Sequence, residues 1–320
     1  MTSVPKPLKF LRPHFPDLQE LHKSWPDSDD KVRVTHTHVL TNPDITYLQA
    51  LFADILSVLA MTYSDTQPRG TLTYRLLSHS SSVTPTDPGL WGHEYIRHLA
   101  SELGSEYPIR VESGQDISPL RALALECAKF LLEHNGEADA VDLLEELECV
   151  AKIADLIDKD TYQRVCAYMV SCVPLLPPPD DVAFLRTAHS IYLQFFKYPE
   201  AMALAIRLAD SQLIYSDFHA PANPLMKRQL AFLLSRAQIP LQWVGVSVGN
   251  GEDGGETETL AGPAVELDQD LLECLSNTNL STHFKAFGTE LSVLEPKSLE
   301  DIYKTHLENT RSFLLPYYQH

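Results

Sequence analysis

The sequence predicts an all-α protein, an irregular α-solenoid of stacked antiparallel helix hairpins. Apolar residues recur at three- and four-residue spacing through much of residues 119–209, the mark of helices with one buried face. Two elbows are built alike: Phe130-Leu-Leu-Glu-His-Asn-Gly136-Glu-Ala-Asp-Ala and Phe195-Phe-Lys-Tyr-Pro199-Glu-Ala-Met-Ala. Each stops one helix and starts the next at once on Glu-Ala-x-Ala. Gly136 is the expected left-handed closing residue, and Pro199 suits a first helical turn. So short a turn folds consecutive helices back antiparallel, and stacked hairpins build a solenoid that offers surfaces to partners.

From the N-terminus, a Pro-interrupted helix is predicted over Leu8–Ser24, followed by the acidic linker Pro26-Asp-Ser-Asp-Asp30. Residues 32–47 alternate briefly in the manner of a strand. From Leu48 to Tyr63 the spacing is helical, with Leu48, Leu51, Phe52, Ile55 and Leu59 on one face. A helix at Leu90–Leu103 follows the turn signal Pro85-Thr-Asp-Pro-Gly89. Further helices are predicted near 119–134, 137–149, 160–173, 181–196, 199–209 and 224–236, with Asp160 or Thr161 and Asp180 as N-caps. Pro174 and Pro177-Pro-Pro179 break the run. Residues 249–263 read as a flexible acidic loop, after which short helices resume at 268–276 and 281–293 and another starts at Ser298. The elbows lie 63 residues apart with one unpaired helix between them. A tetratricopeptide array would repeat about every 34 residues, so this is no regular repeat array.

With 320 residues and 44% hydrophobic content, the chain can bury a sizeable core. A net charge of −18 argues against nucleic acid and against an anionic membrane face, and points to basic partner surfaces. The N-terminus has no apolar run of a signal peptide, and the most apolar stretch, Leu48–Met61, is too short to span a bilayer and contains Asp54. Five cysteines, 127, 149, 166, 172 and 274, form no Cys-x-x-Cys pair and sit at apolar helical positions, as reduced thiols do.

Little in the sequence points to catalysis, and no cofactor or metal is expected. His93 and His98 are five apart, about 140° around a helix, and cannot share a zinc ion as histidines four apart do. They read as polar residues flanking the core positions Trp91, Tyr95 and Leu99. His36 and His38 could form half of a metal site, but nothing nearby completes it. The glycines of 249–255 lack the Lys-Ser/Thr of a phosphate loop, and no Gly-x-Ser-x-Gly elbow is present. One feature favours a binding surface. In the helix from Glu137, Ala140, Val141, Leu143, Leu144 and Leu147 share one side, whereas Asp139, Asp142 and Glu146 share the other. The stripe reads either as a solvated face or as an acidic ridge for a basic partner.

Several segments together resemble one family. They include Met1-Thr-Ser-Val-Pro-Lys-Pro-Leu-Lys-Phe10, Ala53-Asp-Ile-Leu-Ser-Val-Leu-Ala60, Trp91-Gly-His-Glu-Tyr-Ile-Arg-His98, Cys166-Ala-Tyr-Met-Val-Ser-Cys172 and Asp301-Ile-Tyr-Lys-Thr-His-Leu-Glu-Asn309. The family is that of the non-ATPase scaffold of the 26S proteasome base, the smaller of its two large repeat-containing subunits. The resemblance covers most of 1–31, 52–240 and 266–311. It implies a non-enzymatic role in ubiquitin-dependent degradation, in cytoplasm and nucleus, against the ATPase ring and other base subunits. It also implies docking of ubiquitin and shuttle proteins, but on a toroid of Gly/Ala-rich repeats beyond the His-Leu-Glu-Asn segment. The chain ends eleven residues after Asn309, so no docking residue carries over.

On this reading the chain divides into an N-terminal helix and acidic linker (1–31), an atypical insert (32–51), a helical-hairpin module (52–240), a flexible acidic loop (241–267), short helices leading toward the toroid (268–311) and an atypical tail (312–320). The insert and tail are expected to be translated intron or misplaced gene-model boundaries. The apolar end left by an interrupted solenoid is expected to make the isolated chain poorly soluble. The alternative reading is a free-standing helical adaptor whose acidic ridge binds basic peptides. An enzyme with a fold-assembled Cys–His or His–carboxylate site ranks below both.

Overall fold

Helices carry most of the residues that the computed structural model describes, namely 6–24, 42–63, 69–81, 86–246, 265 and, with gaps, 267–302. In chain order they are α1 (Lys6–Leu11), α2 (Phe15–Ser24), α3 (Asn42–Met61), α4 (Gly70–Ser81), α5 (His93–Ser113), α6 (Ser118–Glu133) and α7 (Glu137–Glu146). They continue as α8 (Tyr162–Cys172), α9 (Asp180–Gln194), α10 (Tyr198–Leu208), α11 (Ser211–His219), α12 (Pro224–Arg236), α13 (Gln269–Ser276) and α14 (Leu280–Glu290). Among the described residues there is no strand, and the predicted all-α class is what the structure shows. The chain divides into two compact units, Met1–Leu204 and Ala205–His320, the division falling within α10 and within the expected 52–240 stretch.

In the first unit α3 and α4, α6 and α7, and α8 and α9 pack as consecutive pairs, and α5 packs against α4, α6 and α7. The pairing follows from the apolar spacing. In α6, Leu120, Leu123, Ala124, Cys127, Ala128, Leu131 and Leu132 are all buried, and each leucine removed from water contributes about 2 kcal/mol. Facing them on α7 are the buried Ala140, Val141, Leu143 and Leu144.

The elbows close differently from expectation. Gly136 has φ −98°, and the left-handed residue is Asn135, at φ 60°. The Gly136 N–H donates to the Leu131 carbonyl at 2.7 Å and the Asn135 N–H to that of Leu132 at 3.4 Å, which is the Schellman closure. Asparagine tolerates this conformation through its short polar side chain, and the residue after it needs no positive φ. At the second elbow Phe196 takes the left-handed position at φ 57°. The Lys197 N–H donates to Tyr192 at 2.8 Å and the Phe196 N–H to Leu193 at 3.0 Å. The same closure ends α5 at Gly114, α7 at Glu148, α10 at Ala209 and α12 at Gln238.

Other expectations are corrected. The strand over 32–47 fails where it can be seen, because residues 42–47 form the first turns of α3. Asn42-Pro43-Asp44 is a helix-start signal, and it outweighs so short an alternation. Residues 32–41, with His36 and His38, lie outside the described residues, and α3 runs unbroken from the expected insert into the module. Helix α5 does not stop at Leu103 but continues through Pro108 to Ser113. A proline removes one ladder bond, yet Tyr107 beside it is buried and Glu106 is braced by Arg69 at 2.7 Å and Arg110 at 3.0 Å. Of the expected N-caps, Thr161 does stand at the N-cap position of α8, without a side-chain cap bond, whereas Asp180 is displaced by Pro179. Asp158 accepts from the N–H groups of Asp160 and Thr161, both at 2.9 Å, and Asp180 lies within the first turn of α9. Helices α4 and α11 were not anticipated.

Helix α4 brings a buried polar core. The Arg75 guanidinium donates to Asp54 Oδ1 at 2.6 Å, to Thr86 Oγ1 at 3.1 Å and to the Thr86 carbonyl. The other oxygen of Asp54 accepts from Thr86 Oγ1 at 3.0 Å and from Trp91 Nε1 at 2.9 Å. Nearby, the Ser57 hydroxyl donates to the Thr71 carbonyl and accepts from the Tyr95 hydroxyl, both at 2.7 Å. Burial pushes the Tyr95 phenol well above its ordinary value.

In the second unit α12 packs on α13 and on α11, and the turn Leu241–Val244 packs on α11. Asp210 and Asn223 cap α11 and α12 through their side chains. Along α14 and just past it, Leu280, Phe284, Phe287 and Leu291 are largely exposed.

Candidate functional site

The acidic stripe foreseen on α7 lines an open groove in the first unit. The groove has a volume of about 1080 Å³ and is bounded by α5 on one side and α7 on the other, with Asp139, Asp142 and Glu146 all in its wall.

Each wall follows from its helix. Helix α7 buries Ala140, Val141, Leu143 and Leu144, so 3.6-residue periodicity turns Asp139, Asp142 and Glu146 outward. Its phase is fixed by the Asn135 elbow, which Arg164 braces by donating to Glu137 Oε1 at 2.7 Å and to Asn135 Oδ1 at 3.2 Å. Helix α5 buries Tyr95, Ile96, Leu99, Leu103 and Tyr107. Toward the groove it offers Ala100, Ser101, Gly104, Ser105 and Pro108, a face of small residues that leaves the space open. The flexible carboxylate tip of Glu146 reaches across to Gly104, where a Cβ would meet its Oε2. Pro108 has no N–H to give the Gly104 carbonyl four residues before it.

The electrostatics are one-sided. Asp139, Asp142, Glu146, Glu148 and Glu112 line the groove against a single cation, Arg97. Arg97 pairs with Asp139 at 3.3 Å, and both side chains remain about half exposed, at 63% and 46%. At the far end Arg121 donates to the Tyr107 hydroxyl at 2.7 Å, and that hydroxyl donates to Glu148 at 3.2 Å. In the middle Asp142 accepts from the Tyr168 hydroxyl at 2.7 Å. Partial burial, and then the charge of Asp142, raise the carboxyl of Glu146 above its ordinary value. Burial, then Asp180, Glu146 and Asp142, do the same to Glu145.

The other candidates are drawn elsewhere. His98 meets Glu102 at 2.9 Å, and Glu102 accepts the Leu72 N–H at 2.7 Å, closing the start of α4 from a neighbouring helix. His93 packs edge-on against Phe130 and His134, at 5.0 and 4.7 Å between ring centres. Burial pushes the thiols of Cys127 and Cys166 up to about 12, which keeps them protonated and unreactive. Among the described residues, no three histidines, cysteines or carboxylates are grouped to hold a metal ion. No described helix is long and apolar enough to cross a membrane.

The small-residue wall of α5 was not foreseen. Its signal in the sequence is Gly104 and Pro108, four apart and therefore on one face of α5.

Residues 1–308 match the family model described as RPN1 N-terminal domain. The chain is 45% identical to the 26S proteasome regulatory subunit rpn-1 of Neurospora crassa, over 97% of this chain and 30% of that protein. It is also 45% identical to the 26S proteasome regulatory subunit rpn1 of Schizosaccharomyces pombe, over 98% of this chain and 30% of that protein. The 26S proteasome non-ATPase regulatory subunit 2 homolog B of Arabidopsis thaliana is 34% identical over 98% of this chain and 31% of its own length. The chain thus spans about 30% of the length of these curated relatives. On the match over residues 1–308, the chain belongs to the RPN1 N-terminal domain family.

Proposed function

We propose that the chain acts as the N-terminal module of a non-catalytic scaffold subunit of the 26S proteasome base, the smaller of its two large repeat-containing subunits. In this role it contacts the ATPase ring and other base subunits and supports ubiquitin-dependent protein degradation in cytoplasm and nucleus. The observation that carries the reading is the family match over residues 1–308, joined to relatives that are all named as proteasome regulatory subunits. The protonated thiols of Cys127 and Cys166 suit packing rather than nucleophilic chemistry. Ubiquitin and shuttle-protein docking is assigned to no residue of this chain.

Affinity purification of the tagged chain from cells, followed by mass spectrometry, tests the proposal. The expected result is recovery of proteasome ATPases at levels above those from an unrelated acidic helical protein. Recovery no greater than that control would overturn it.

A further inference from the structure

We infer that the apolar stripe along α14 seats an amphipathic helix of the same polypeptide, supplied by the part of the longer family members that follows residue 308. The inference rests on the family match alone and not on the proteasomal role.

The stripe is built as a seam for a helix. Leu280, Phe284, Phe287 and Leu291 stand four, three and four residues apart, and each is more than half exposed. That is the spacing at which one helix takes another along its length. Elsewhere the chain covers such faces with the next helix in sequence, as α3 with α4, α6 with α7, α8 with α9 and α12 with α13. Helix α14 has no comparable partner among the described helices. The chain leaves it by a closing turn, in which the Val293 N–H donates to the Gly288 carbonyl at 3.0 Å and Leu294 lies against Gly288. A helical turn then resumes, with the Ile302 N–H donating to the Ser298 carbonyl at 3.1 Å. Its Leu299 and Ile302 are exposed as well. Two successive helical pieces thus leave apolar positions uncovered at the end of the matched region.

Position in the family then selects the occupant. The matching model ends at residue 308 and describes an N-terminal domain, while the chain spans about 30% of the length of its relatives. The greater part of each relative therefore follows on from α14 and the turn at Ser298. A tethered helix is held near its seat at an effective concentration on the order of millimolar, so it avoids most of the association cost that a separate protein bears. A second copy of the chain fits less well, because each copy carries a net charge of −18 and like charge opposes association.

The test compares the 320-residue chain with an extended one, in which the residues after Asn309 are those that follow the matched region in a full-length relative. Hydrogen exchange read by mass spectrometry should show the amides of 284–291 exchanging about tenfold more slowly in the extended chain. Combined Phe284→Ser and Phe287→Ser should return them to the rate of the shorter chain. Leu225→Ser, at an exposed position on α12, should not. A photoactivatable phenylalanine analogue in place of Phe287 gives a second readout, and its cross-links in the extended chain should fall beyond residue 309 of the same polypeptide. Equal exchange in the two chains would overturn the inference. So would cross-links that land on a second copy or on a different protein. Both readouts report contacts inside one polypeptide, so they hold or fail independently of whether the chain enters a proteasome.

Discussion

Arg75 and Asp54 meet at 2.6 Å with the guanidinium entirely removed from solvent. Two ions so placed repay their desolvation only by satisfying each other and their neighbours. Here Thr86 and Trp91 complete the shell of Asp54. Removing one partner is therefore worse than removing both. Asp54→Ala should cost about 3–5 kcal/mol, a fall in Tm of about 10 °C for a domain of this size. Combined Asp54→Leu and Arg75→Met should cost much less. Thermal unfolding followed by circular dichroism checks both, and an Asp54→Ala protein that melts with the parent would contradict the first.

Phe196 holds a bulky side chain in the left-handed region and leaves it 72% exposed. That conformation costs a non-glycine residue about 1–2 kcal/mol. Phe196→Gly should therefore raise stability by about 1 kcal/mol, after the greater flexibility of glycine in the unfolded chain is subtracted. Urea titration would show it as a higher midpoint with an unchanged slope.

Glu102 closes the start of α4 by accepting the Leu72 N–H. Glu102→Ala leaves that buried donor unpaired and should cost about 1–3 kcal/mol. Glu102→Gln keeps an acceptor in place and should recover most of the loss. Hydrogen exchange at Leu72 reports the contact directly, and protection unchanged in the alanine variant would speak against it.

Glu145 and Glu146 have carboxyls raised by burial and by neighbouring acids. The folded state therefore binds more protons than the unfolded state just above the ordinary carboxylate value of about 4.3. Their contribution to stability is fully present below that value and is lost as the pH rises through their raised values. Combined Glu145→Gln and Glu146→Gln should thus raise Tm at pH 7, and the gain should fade toward pH 4. A gain that grows on acidification would show the sign to be wrong.

Leu280, Phe284, Phe287 and Leu291 recur at four-, three- and four-residue steps along α14 and its end, all of them exposed. A contiguous apolar stripe of this kind promotes association. Combined Phe284→Ser and Phe287→Ser should raise the concentration at which the chain stays monomeric by sizing chromatography with light scattering.

What the sequence made legible was the local part of the structure. The 3.6-residue rhythm of α6 and the acids of α7 follow from spacing alone, because a single helix settles which residues share a face. Helix α4 did not announce itself. Gly70-Thr-Leu-Thr-Tyr-Arg-Leu-Leu-Ser-His holds several weak helix formers, and its start and centre are secured from outside, by Glu102 and Asp54. Asp54 stood out in an apolar stretch, but its partner lay in the helix that had not been seen. The groove was half legible for the same reason. Asp139, Asp142 and Glu146 could be read on one helix, whereas the wall opposite exists only once α5 runs past Pro108 and packs beside α7.

The Asn135 elbow has a consequence for how this chain can change. It joins α6 to α7 with only His134, Asn135 and Gly136 between them, so no slack separates the two helices. One residue inserted there would turn α7 by about 100° about its own axis. Its leucines would swing toward water, and Asp139, Asp142 and Glu146 would leave the groove together. Substitution can tune those carboxylates one at a time. A change of length at the elbow moves all three at once, so the spacing of this turn indexes the acidic wall to the rest of the hairpin.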